Sequence, residues 1–246
     1  MKYVRGLRAR YRYVKKRTKM WVAYLFAKWT GREYYLTENG IRLYFFAPYH
    51  HLMARATWKS GVEPEFMGIW KLYATRSSRI YDIGGFNGVF GLTAAKMNPL
   101  ASVVIFEPDP INQAHIKKNI ELNELTNCTL EPVAISDFNG KSSFSFDGTT
   151  YSMVGKGSET IQCRTLSSYP AADLIKIDAG DSEASVILGA RDVLKETQPL
   201  ILMQTHEHEL KHAEMSDTLK KLGYSAILFR LLPQGKHIVW DPASLR

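Results

Sequence analysis

With 246 residues, 45% of them apolar, the chain can bury one good core and is too apolar to be a disordered segment. Two cysteines, Cys128 and Cys163, exclude a disulfide-built scaffold and suit a reducing compartment. The net charge of +8 is unevenly spread: residues 1–30 hold ten of the 32 basic residues and no acid, leaving 22 bases against 24 acids elsewhere.

The chain opens with this basic segment, from Lys2 to Lys28. Val4, Leu7, Tyr11, Val14, Trp21 and Leu25 recur at spacings of three and four, with Thr18 filling the gap, which predicts an amphipathic helix. An anionic membrane surface or the flank of the following domain would satisfy such a helix, and a nucleic-acid contact is a third reading. The apolar run Met20–Ala27, about eight residues, is too short to span a bilayer. No small-x-small cleavage site follows promptly, so the arm is expected to be retained. The expected location is cytoplasmic, peripheral at the inner face of a membrane if the arm binds lipid.

Residues 31–72 form a small aromatic-rich extension. Tyr34–Leu36 and Ile41–Phe46, joined through Asn39-Gly40, predict a β-hairpin, because Asn-Gly supplies the positive φ of a tight turn. Its aromatics either pack on the main domain or line an acceptor pocket. Pro64-Glu65 opens a helix over Phe66–Tyr73.

From residue 73 to 246, strands and helices alternate. Strands are expected at Arg79–Ile83, Ser102–Phe106, Thr129–Ile135, Ser142–Phe146, Leu174–Ile177 and Leu200–Met203. Helices are expected near Gly88–Met97, Pro110–Asn123, Ser182–Lys195 and Ser216–Leu222. Gly148–Gln162 reads as a flexible polar loop, and Tyr224–Phe229 with His237–Trp240 as a closing antiparallel pair. This alternation means an α/β fold, doubly wound, with a mostly parallel sheet covered by helices on both faces.

The informative stretch is Asp82-Ile83-Gly84-Gly85-Phe86-Asn87-Gly88, a buried strand running into a glycine turn, followed by a second strand ending in Glu107. A dinucleotide site wants G-x-G-x-x-G, with backbone N–H groups facing a pyrophosphate. Here an acid, Asp82, precedes the first glycine. An anion disfavours a phosphate but suits an ammonium, and Glu107 can take two ribose hydroxyls. The nucleoside ligand with an amino-acid ammonium and no phosphate is S-adenosylmethionine.

These residues carry a resemblance. The segment from about Gly61 to His206 resembles the FkbM-type family of S-adenosylmethionine-dependent methyltransferases. The matching motifs are the glycine turn, Phe106-Glu107-Pro108-Asp109-Pro110, Asn119-Ile120 with Asn123, Ala134-Ile135-Ser136-Asp137, Leu174-Ile175-Lys176-Ile177-Asp178 and Leu188-Gly189-Ala190. The resemblance implies a seven-stranded Rossmann-like sheet whose last strand is antiparallel to the rest. It also places a Glu near the cofactor in the region of Glu65.

Ligands of open α/β sheets bind at the carboxyl ends of the strands. Cofactor contacts are therefore expected from Asp82, Gly84, Gly85, Asn87, Glu107, Ile135, Ser136 and Asp137. Asp178, at the end of the fourth strand, is the expected general base, with His206 as the other candidate. Gln204 and Asp181 are expected at the acceptor. The family pattern Asp-x-Glu-Gly-x-Glu reads here Asp178-Ala179-Gly180-Asp181-Ser182-Glu183, and Gln204 stands where a Glu is usual. Two carboxylates near the acceptor are thus missing or moved. His206, His208 and His212 carry no fixed ligand geometry, and no metal is expected.

The resulting expectation is an S-adenosylmethionine-dependent methyltransferase acting on a hydroxyl of a sugar, glycan or secondary metabolite, the acceptor class coming from the resemblance. A cofactor-binding module without turnover and an RNA-directed enzyme are the alternatives. No Asn-Pro-Pro-Tyr-like motif follows the fourth strand, which argues against base N-methylation.

Overall fold

A computed structural model describes residues 33–38, 40–46, 63–146, 152–155, 157–180, 182–206, 209–232 and 235–242. The expectations for the basic arm and for Asp181 lie outside the described residues. No helix among the described residues is long and apolar enough to cross a membrane.

The hairpin forms as its Asn-Gly signal predicts: β1 (Glu33–Glu38) pairs antiparallel with β2 (Ile41–Phe46), and Gly40 takes a φ of 79° at the turn. Helix α1 (Pro64–Ala74) leads into β3 (Arg79–Ile83), α2 (Val89–Met97) and β4 (Ser102–Phe106). Next come α3 (Pro110–Leu122), β5 (Cys128–Glu131), β6 (Ala134–Ile135), β7 (Gly140–Phe146), β8 (Ser152–Val154) and β9 (Glu159–Arg164). The chain continues through β10 (Leu174–Ile177), α4 (Glu183–Gly189), α5 (Arg191–Thr197), β11 (Leu200–His206), α6 (Glu209–Lys221), β12 (Tyr224–Leu232) and β13 (Gly235–Pro242).

Seven strands make the main sheet in the order β12-β13-β11-β10-β3-β4-β5. The β13 strand runs antiparallel between β11 and β12, and the neighbours from β11 to β5 pair parallel. The doubly wound expectation holds, including the antiparallel last strand. Side-chain alternation divides the core in two. Ile80, Val103, Ile105, Leu174 and Leu202 face α1 and α2, where Trp70, Phe90 and Leu92 meet them. Tyr81, Phe106, Ile175, Ile177 and Met203 face the other way, toward Val186, Ile187 and Leu219.

Four expectations are corrected. The strand foreseen at Thr129–Ile135 is two strands, because Pro132 has no N–H for a ladder and the Val133 N–H turns back to the Glu131 carbonyl at 2.9 Å. The loop foreseen at Gly148–Gln162 contains β8 and β9, which join β6 and β7 in a separate sheet of order β6-β9-β7-β8. Its polar sequence hid an alternation in which Ile161 and Cys163 are buried between exposed or half-exposed neighbours. The helix foreseen at Ser182–Lys195 breaks at Ala190 into α4 and α5. The last helix also starts earlier than foreseen, at Glu209.

Candidate functional site

The glycine turn is built by contacts that allow no side chain. Gly84 has a φ of 74°, and a Cβ there would lie on the carbonyl oxygen of Asp178, just beyond the neighbouring strand. A Cβ on Gly85 would run into Ile105 beneath the turn. The backbone therefore wraps tightly over β4 and against the end of β10. Phe86, a non-glycine residue, is held at a φ of 52°. The Phe86 N–H donates to Glu107 Oε2 at 2.7 Å, which gives that left-handed conformation a cause.

Glu107 is buried at the end of β4, where its Oε1 accepts the Asp109 N–H at 2.9 Å and, more weakly, the Asn112 amide at 3.5 Å. Burial pushes its pKa up to about 7, against the lowering effect of the Asp109 and Phe86 N–H groups. Asp109 in turn caps α3, its carboxylate accepting the Ile111 and Asn112 N–H groups at 2.7 and 3.0 Å, with Pro110 at the first helical position as expected.

Asp82 is fully buried and committed inside the protein. Its Oδ1 pairs with Lys176 Nζ at 3.1 Å and its Oδ2 accepts the Gly91 N–H at 2.8 Å. The strand register explains the pair, since Lys176 lies opposite Asp82 on adjacent parallel strands. Lys176 also reaches the Gly84 carbonyl at 3.4 Å and lies 5.0 Å from the centre of the Phe90 ring. Burial works against its charge, but Asp82, Asp178 and Glu63 outweigh burial and hold its pKa above the ordinary value. Asp82, the acid expected at a cofactor ammonium, is thus paired with a lysine, and the acids around that lysine outnumber it three to one.

Glu63, which the sequence reading passed over in favour of Glu65, is the acid that reaches this cluster; Glu65 is exposed. Glu63 sits just before Pro64 at a φ of 42°, a strained position for a side chain of its size. The signal was available as Glu-Pro ahead of a helix.

Asn87 is buried, and its Oδ1 accepts the Val89 N–H at 3.2 Å. Among the described residues its Nδ2 has no partner, a buried amide donor left open in the glycine turn. Ile135 and Ser136 are buried as well, but Ile135 pairs with β9 in the small sheet and not in the main one. Ser136 Oγ donates to Asp137 Oδ1 at 3.1 Å. The Ser136–Asp137 backbone presses on Gly189, where a Cβ would meet the Ser136 carbonyl. That contact explains the glycine of the Leu188-Gly189-Ala190 motif.

Asp178 follows β10, its N–H donating to the Ile83 carbonyl at 3.0 Å. Since Ile177 pairs with Met203, Asp178 stands level with Gln204 on the next strand. His206 ends β11 opposite Gly235. Gly180 has a φ of 55°, and the Ala179 N–H donates to Glu183 Oε1 at 3.0 Å, so the last acid of the family pattern braces this loop.

The topology is that of the Rossmann-like methyltransferase fold. The profile of the methyltransferase FkbM domain matches residues 82–226, more than half of the chain, and the protein belongs to that family. Its cofactor is S-adenosylmethionine.

Among solved structures, the methyltransferase FkbM from Methylobacillus flagellatus KT is similar at 18% identity and a TM-score of 0.53, over 67% of this chain and 43% of that one. This chain therefore spans less than half of that protein, and the likeness bears on the fold alone. The precorrin-6y C5,15-methyltransferase of Geobacter metallireducens GS-15 is similar at 14% identity, with a TM-score of 0.49, over 72% of this chain and 87% of that one. M. jannaschii TYW2, solved with AdoMet, is similar at 17% identity, with a TM-score of 0.45, over 85% and 84% of the two chains. No curated protein sequence matches this chain.

The residues present fit this cofactor. The open Asn87 donor suits its carboxylate, and each Glu107 oxygen retains acceptor capacity for a ribose hydroxyl. The acid excess around Lys176 suits its ammonium and sulfonium cations.

Proposed function

We propose that the protein methylates a hydroxyl group of a sugar, glycan or secondary metabolite at the ends of β10 and β11. The observation that carries this reading is the position of Asp178. Its backbone touches the glycine turn, and it stands level with Gln204 on the adjacent strand. Bound there, S-adenosylmethionine supplies an electrophilic methyl on a sulfonium centre.

The chain's own residues do the rest. Asn87 and Glu107 hold the two ends of the cofactor, while Ile135 and Asp137 flank its base. Gln204 orients the acceptor hydroxyl by hydrogen bonding but cannot take its proton. Asp178 takes that proton as the oxygen attacks, with His206 the other candidate for the same task. Positioning in a desolvated cleft provides much of the acceleration, and the base about 10²- to 10⁴-fold.

The test is release of S-adenosylhomocysteine over a panel of hydroxylated acceptors. Asp178→Asn is expected to lower kcat by about 10²-fold or more, a larger effect than the weakening of cofactor binding that the lost charge brings. Cofactor binding without turnover on any acceptor would favour the non-catalytic module. An unaffected kcat in the variant would move the base to His206.

A further inference from the structure

One fully buried side chain joins the N-terminal hairpin to the cofactor turn. Asn119 Oδ1 accepts the Tyr44 N–H of β2 at 2.6 Å, and Asn119 Nδ2 donates to the Asn87 carbonyl at 3.0 Å. The orientation of the amide is not arbitrary, because the hairpin offers a donor and the turn offers an acceptor.

One turn further along α3, Asn123 Oδ1 accepts the Arg42 N–H and Asn123 Nδ2 donates to the Arg42 carbonyl, both at 2.7 Å, standing in for a strand neighbour. One turn earlier, the His115 ring stacks on Tyr44 with centroids 5.3 Å apart. Asn112, a turn before that, donates to Glu107. The buried face of α3 is thus a polar seam running from the ribose acid to the hairpin. Ile41 and Leu43, both fully buried, anchor β2 in the core beside it.

We propose that Asn119 is a positioning residue for the cofactor, and that the hairpin over residues 33–46 is a structural part of the cofactor site. Docked hairpin fixes the Asn119 amide, Asn119 fixes the Asn87 carbonyl, and the Asn87 backbone sets where its open amide donor points. Cofactor binding and hairpin docking then favour each other, and by linkage the effect is reciprocal. This inference rests on the reading of Asn87 as a cofactor contact. It assigns the hairpin to the methyl donor, where the sequence left it between packing and an acceptor cap.

The experiment measures S-adenosylmethionine affinity calorimetrically in the wild type, Asn119→Ala, Asn123→Ala and the double variant. Amide hydrogen exchange over residues 41–46 is followed with and without cofactor. Asn119→Ala is expected to weaken binding about tenfold. Asn123→Ala, whose side-chain bonds among the described residues reach the hairpin and α3, is expected to weaken it about threefold in the wild type but not further in the Asn119→Ala background. Cofactor is expected to slow exchange at the Arg42 and Tyr44 amides.

A folded Asn119→Ala protein with wild-type affinity would overturn the proposal alone. So would hairpin exchange that cofactor leaves unchanged, a readout that needs only the wild type if the variants do not fold. Wild-type protein that binds no S-adenosylmethionine would overturn the cofactor-site reading as well.

Discussion

Glu107 shows how burial and function pull one carboxylate in opposite directions. Its pKa in the ligand-free fold is about 7, above the ordinary 4.5, because burial costs the charged form more than two N–H donors return. Between those values the native state holds a proton that the unfolded chain has lost. Its stabilising contribution is therefore full below pH 4.5 and is lost as pH rises through about 7, a change of about 3 kcal/mol. Ribose hydroxyls donate best to the ionised form, so cofactor affinity should move the other way and weaken as pH falls below about 7. Calorimetry from pH 6 to 8 checks this, and Glu107→Gln should bind more weakly and lose the pH dependence. A wild-type affinity that is flat over that range would remove Glu107 from the ribose contact. Lys176 and Asp82 behave differently. They satisfy each other in the core, and the loss of either would leave a buried charge unpaired, which costs about 3–5 kcal/mol.

At the scale of elements, the joints between the sheets matter more than the strands themselves. The loop after β6 that carries Ser136 and Asp137 can pack as it does only because α4 ends in a residue without a side chain. Gly189→Ala should push that loop away, lowering stability by about 1–3 kcal/mol and weakening cofactor binding together. Urea unfolding and calorimetric titration of the same preparation check the two effects. Unchanged affinity in a destabilised variant would show that Ser136 and Asp137 do not touch the cofactor. The glycine-turn and strand-end motifs of this region were legible in sequence because each glycine and acid stands at a fixed distance from a strand end. The small sheet was not legible, since its strands alternate polar residues with a few buried ones such as Ile161.

For the whole molecule, a near-neutral body over residues 31–246 follows a strongly basic segment. The proposed membrane role of residues 1–30 rests on their charge and spacing. Deleting them should abolish flotation with anionic liposomes at low salt and leave cofactor affinity unchanged, because the cofactor contacts proposed above come from residues 63–206. Equal flotation of the truncated protein would place the membrane contact elsewhere. Salt-sensitive RNA binding lost in the same truncation would point to the nucleic-acid reading instead.

The sequence by itself determined the sheet, the glycine turn and the strand-end acids. Strand alternation, Asp82-x-Gly84-Gly85 and Glu107-Pro108 are local patterns whose meaning depends on nearby residues. Only the tertiary structure decided which groups those residues face. Lys176 meets Asp82 across 94 positions of sequence, and Asn119 meets Tyr44 across 75. Such partners are chosen by strand register and helix packing, which no local pattern encodes. That is why Asp82 is found paired with Lys176 within the core, and why an asparagine on α3, noted only as a family motif, joins the hairpin to the glycine turn.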